Sequence, residues 1–166
     1  MKIIILLVTL ISFVTAHFSL EYPHGIGPSD QLSNENIPPC GGFIPNLATA
    51  TLANFSLSGD WVEIDSHHAE ALFHYRVAHE DNKTWIDLNP VVYEVGIGKL
   101  CIKTGVVPAG FLGKKGILQV VGDGHGGALF QVCADYIPSF FSLRDRYCIL
   151  FSVGVLIVVC HSSIRK

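Results

Sequence analysis

From residue 60 to about residue 136 the chain falls into short β-rich runs closed by glycine and proline, and none has the period of an amphipathic helix. This feature restricts the fold more than any other. "VVYEV", "KLCIKT", "GILQVVGDG" and "ALFQVCADY" are rich in β-branched and aromatic residues and bounded by turn formers. In "DWVEIDSHHAEALFHYRVAH" (60–79), Val62, Ile64 and Ser66 fall on one face of an extended chain. After a change of register at "HHAE", Ala71, Phe73, Tyr75 and Val77 continue on another, which predicts two strands with a tight connection. Strands recurring at intervals of about ten residues predict an all-β fold, an antiparallel β-sandwich. The stretch from 17 to about 47 is rich in Gly, Pro, Asn and Ser and reads as a long loop pinned by Cys40.

The two ends differ from this middle. Lys2, the apolar run "IIILLVTLISFV" and the small-residue ending "VTA" together predict a secretory signal peptide cleaved after Ala16. Its removal leaves 166 − 16 = 150 residues, enough for one domain with a real core. Five cysteines in an exported chain predict disulfides plus one left over. The triplets at Asn54 and Asn82 are N-glycosylation acceptors and agree with an extracellular, secreted location. A net charge of −3 argues against nucleic acid as a partner. At the other end, the apolar run from Tyr147 to Cys160 is flanked by charge and falls short of the roughly 20 residues a helical span needs. It also meets the spacer requirement of a lipid (GPI) anchor signal poorly. The expected organisation is therefore a signal peptide over 1–16, one β-sandwich domain over 17–138, and a hydrophobic tail over 139–166. That tail is either a membrane anchor or an end foreign to the domain. No serine hydrolase triad, phosphate loop, CxxC pair or nucleotide fingerprint is present.

Cleavage after Ala16 would make His17 the first residue. A histidine there carries a free α-amine beside its imidazole, and the amine, with a pKa near 7.7–8.0, yields its last proton to copper at neutral pH. One more imidazole then completes a T-shaped set of three nitrogens, an arrangement that favours Cu(II). The chain has eight histidines. His24, His74, His79 and His161 read as surface or half-buried residues without special partners. "DSHHAE" offers the third nitrogen, and His68 is preferred to His67 because it shares the parity of Val62 and Ile64.

These residues, in "AHFSLEYP", "PPCGGF", "LSGDWVEIDSHH", "KLCIK" and "ILQVVGDGHGGALFQVCAD", resemble the fungal copper acquisition factor proteins over residues 17 to 136. The resemblance implies an immunoglobulin-like, lytic polysaccharide monooxygenase-like sandwich. It implies a histidine-brace site holding one copper, Cu(II), and a role in copper uptake at the cell surface, usually without polysaccharide oxidation. It places His17 and the His67–His68 pair at the metal and adds an aspartate. Asp123 in "GDGHGG" is preferred to Asp135 in "CAD", since a glycine-flanked loop brings a carboxylate close to a metal without steric conflict. A carboxylate there stabilises Cu(II) over Cu(I) and so ranks binding above oxidation. Phe130 stands near where the oxidising relatives carry an axial aromatic residue, and His125 reads as an outer partner or an exposed side chain.

Cys40 with Cys133 is the expected disulfide, tying the early loop to the last strand; Cys101 lacks a partner within the domain, and Cys148 and Cys160 lie in the tail. The expected partners are a copper ion and a plasma-membrane copper transporter, with the protein itself a monomer. The competing functions are a copper-dependent polysaccharide oxidase, for which Tyr22 and Trp61 offer too small an aromatic face, and a wall or adhesion module without metal.

Overall fold

The computed structural model describes residues 17–28, 34–79, 84–123, 129–140, 144–152 and 156–164. The chain from Phe18 to Ser139 contains strands β1 (Phe18–Tyr22), β2 (Ala53–Ser56), β3 (Trp61–Ser66), β4 (Glu70–His79), β5 (Ile86–Val95), β6 (Gly98–Lys103), β7 (Gly116–Asp123) and β8 (Leu129–Ser139). They form a three-stranded sheet, β1-β3-β6, and a five-stranded sheet, β2-β8-β7-β4-β5. The all-β sandwich expected from the recurring short runs is the observed architecture.

Alternation explains both sheets. On β3, Val62 and Ile64 point inward and are fully buried, while Trp61, Glu63 and Asp65 are only partly covered. On β4, Ala71, Phe73, Tyr75 and Val77 supply the opposing wall, with Leu118 and Val120 of β7 beside them. The rings of Phe18 and Phe73 meet edge to face, with centroids 5.2 Å apart, and join the two sheets at one end of the core.

Three features depart from the sequence reading. The early segment is not loop throughout: Phe18, Leu20 and Tyr22 alternate into the core, and β1 pairs antiparallel with β3 through Phe18↔Ser66 and Leu20↔Ile64. The second departure is β2, which pairs in parallel with β8, so the five-stranded sheet is mixed rather than purely antiparallel. Asn54 lies on this edge strand and is partly covered. Asn82 is outside the described residues. The third is Cys101, buried on β6, which is itself disulfide-bonded although 17–138 offers it no partner.

Cys40 and Cys133 form the expected disulfide, with Cα atoms 5.1 Å apart. Around it, Gln119 Nε2 donates to the carbonyl of Pro39, and the amide of Ile26 donates to the carbonyl of Cys133. The segment between β1 and β2 is thus fixed across the five-stranded sheet at several points. Beyond β8, strands β9 (Arg144–Ser152) and β10 (Leu156–Ile164) pair as an antiparallel hairpin, with β10 alongside β6. Among the described residues no helix is long and apolar enough to cross a membrane.

Candidate metal centre

The register brings three of the sequence-selected positions to one end of the sandwich. Residue 17 precedes β1, whose first residue pairs with Ser66, and the amide of His67 donates to the carbonyl of His17 at 2.8 Å. His67 and His68 form the connection from β3 to β4. Asp123 closes β7 opposite Leu72, the third residue of β4, and is half-buried. The ring of Phe18 lies against Gly122: a Cβ there would stand 2.9 Å from Phe73 and 3.1 Å from Phe18. A glycine is therefore needed beside Asp123 for the start of β1 to pack.

Asp135 is placed elsewhere. It lies six residues beyond Leu129, the partner of Asp123, which at about 3.3 Å per residue puts it roughly 20 Å along the strand. It is buried and borders a recess with His24, away from His17.

Parity also separates the two adjacent histidines. The inward alternation of Val62, Ile64 and Ser66 carries on to His68, which is 1% exposed, while His67 faces solvent. The amide of His68 donates to Ser66 Oγ at 3.3 Å. Ser66 also bonds the Glu94 carboxylate on β5. Burial raises the pKa of Glu94; the Ser66 bond opposes that rise, and the nearby Asp65 charge adds to it. His67, despite its exposure, is the histidine whose charge acts on His17.

The residue that the sequence did not single out is Glu35. It sits in the segment between β1 and β2, is 3% exposed, and places Oε2 3.2 Å from His17 Nδ1. The Phe18 amide donates to the same oxygen at 3.4 Å. Glu35 Oε1 is buried and has no hydrogen-bond partner among the described residues. Burial pushes the Glu35 carboxyl up to about 8, against the opposing pull of the Phe18 amide. Burial, and then the charge of His67, lower the pKa of His17. Both shifts disfavour charge on the pair, which shares one hydrogen bond between Nδ1 and Oε2. No local motif marks Glu35 in "SNENIPPCGG"; only the folding of the loop over β1 buries it.

Among the described residues no three His, Cys, Asp or Glu side chains are gathered as a metal cluster. The two histidines of a brace fall below that count, because His17 would supply two of the nitrogens once its amine is free; a carboxylate joining them would have to close in around the ion. In the full chain that nitrogen is a peptide amide joined to Ala16. His125 lies outside the described residues, and Phe130 is described only as a backbone position on β8. Of the remaining histidines, His24 is exposed, His74 is half-buried on β4, and His79 stacks on Phe111 with ring centroids 3.6 Å apart. Tyr22 is a core residue whose hydroxyl donates to the carbonyl of Asn54, so it adds nothing to an aromatic binding face.

The model of the BIM1-like copper acquisition factor domain matches residues 15–142, which includes every strand of both sheets. The chain belongs to this family. It is 30% identical over 152 residues to copper acquisition factor BIM1 of Cryptococcus neoformans var. grubii, a match covering 82% of this chain and 66% of that protein. The chain thus spans just under two thirds of the length of the curated relative it matches. The hairpin β9–β10 lies beyond the residues that the family model matches. No solved structure matches the chain.

Proposed function

We propose that this protein is an exported copper-binding protein that acts in copper acquisition at the cell surface. Its metal centre is assembled by removal of residues 1–16. The α-amine and Nδ1 of His17 would take one Cu(II), and His68 would give the third nitrogen. Asp123, at the same end of the sandwich, would add an oxygen. The donor types suit the ion: imidazole and amine nitrogens with a carboxylate favour Cu(II) over softer or harder competitors.

The observation that carries this reading is the convergence of residue 17 with the β3–β4 connection, through the His67 amide on the His17 carbonyl, in a chain of this family. A strand pairing that fixes the first residue beside two histidines is what a histidine brace needs from its scaffold. The anionic oxygen would hold the ion as Cu(II) and disfavour the reduction that oxygen activation requires. Handing the ion to a plasma-membrane transporter is the cellular step that follows from this chemistry.

Calorimetric titration of the processed chain with Cu(II) tests the proposal. Binding of one ion per chain with a dissociation constant well below micromolar is expected. Binding no tighter than micromolar would reject it, and release of oxidised oligosaccharides from wall polysaccharide in the presence of reductant would move the assignment to an oxidase.

A further inference from the structure

One buried carboxylate has no place in that ligand set. Glu35 reaches across from the β1–β2 segment to the atom a brace would use, His17 Nδ1, and to the amide of the next residue. Its other oxygen is shielded from solvent and takes no hydrogen bond from any described residue. A buried carboxylate oxygen left without a donor costs free energy, so the position favours a partner beyond the described residues.

Spacing indicates which partner. Two ligand atoms in neighbouring positions on one metal, each about 2.0–2.2 Å from it, stand about 3 Å apart. Oε2 is 3.2 Å from Nδ1. An ion that took the Nδ1 lone pair would displace this hydrogen bond, and a turn of the Glu35 side chain would bring its carboxylate into the coordination shell. The loop holds the glutamate there: the Cys40–Cys133 disulfide lies five residues further along, and Gln119 grips the Pro39 carbonyl.

We propose that Glu35 is a metal ligand of this centre, an anionic oxygen donor adjacent to His17 Nδ1. This rests on the copper-binding reading above and adds to it a carboxylate from a loop, beside Asp123 from a strand end. With Glu35 bound, the centre carries more negative charge and prefers the divalent ion more strongly over the monovalent one. Binding would break the hydrogen bond between Nδ1 and Oε2, form one bond from each atom to the metal and release the proton they share to solvent, with no redox step.

The test uses the processed protein beginning at His17 and its Glu35→Gln and Glu35→Asp variants. Each is titrated with Cu(II) by calorimetry, and each Cu(II) complex is examined by electron paramagnetic resonance. Unfolding of the metal-free proteins is followed alongside. The parent protein alone tests the functional reading, because failure of the parent to bind rejects that reading whatever the variants do. Given a parent that binds, Glu35→Gln is expected to weaken Cu(II) at least tenfold and to change the copper hyperfine coupling. Glu35→Asp, which keeps the charge on a shorter arm, is expected to recover part of the affinity with a spectrum unlike the parent. A Gln variant with affinity within threefold and a superimposable spectrum would overturn the proposal. Should that variant fail to fold, a Glu35→Asp spectrum identical to the parent would overturn it as well.

Discussion

The two ends of β4 place histidines in opposite circumstances. At the far end His79 stacks flat on Phe111 and borders an apolar recess of about 300 Å³ with Pro39, Phe43, Trp85 and Ile117. Its ring is accommodated by ordinary packing. At the near end His17 meets Glu35, and His68 lies beside Ser66, which bonds Glu94; both of these carboxyl groups are held in the protein at a cost in solvation. A scaffold built only for stability would cover both ends as it covers His79. The contrast teaches that histidine number says little, and that the carboxylates sharing a histidine's burial say much.

Breaking the covalent support of the loop should have the largest effect. Cys133→Ser opens a loop of 93 residues, which in the chain-entropy model costs about 4–5 kcal/mol. Thermal unfolding of the variant should show a drop of many degrees, and Cu(II) affinity should fall with it because the loop carries Glu35. Gly122→Ala comes next. The added Cβ would press on Phe73 and Phe18 and should cost about 1–3 kcal/mol. Since Phe18 carries His17, copper affinity should fall in the same variant, as measured by calorimetry.

His79→Ala removes the stack on Phe111 and should cost about 1 kcal/mol in denaturant unfolding. Copper affinity should be unchanged, which sharpens the contrast between the ends. The smallest effect concerns pH. The folded pKa of Glu35, about 8, lies above its unfolded value, so the protonated form is favoured by folding. Stability of the metal-free protein should therefore fall as pH rises from 7 to 8, by no more than about 1 kcal/mol over that unit. Glu35→Gln should flatten the dependence. Staying above pH 7 keeps His17, whose pKa is lowered, out of the window.

Most of the frame was legible because burial alternates along β3 and β4, where one face is apolar, and because β7, buried continuously from Leu118 to Gly122, is a β-branched run bounded by glycine. β1 was hidden by its setting: Phe18, Leu20 and Tyr22 alternate, but a long run of Gly, Pro and Asn follows at once. β2 has four residues and takes its place from parallel pairing with β8, a non-local contact that no short pattern encodes. His68 was legible by parity and is buried as that parity requires, although the charge felt by His17 comes from His67. Asp123 shares the end of His17, and Asp135 does not, for a reason of register along β8. Glu35 was not legible, because a lone glutamate in a polar loop looks like any solvated residue until the disulfide and Pro39 fold the loop down.

The central claim is that cleavage before His17 creates the chelate, and one paired measurement addresses it directly. The protein is prepared once with His17 as its first residue and once with Ala16 retained, and Cu(II) is titrated into both under electron paramagnetic resonance. The account predicts a single-site, nitrogen-rich spectrum saturating at one equivalent for the first and at least a hundredfold weaker binding for the second. Equal affinity and identical spectra would contradict it, since the α-amine of His17 would then have no part in holding the metal.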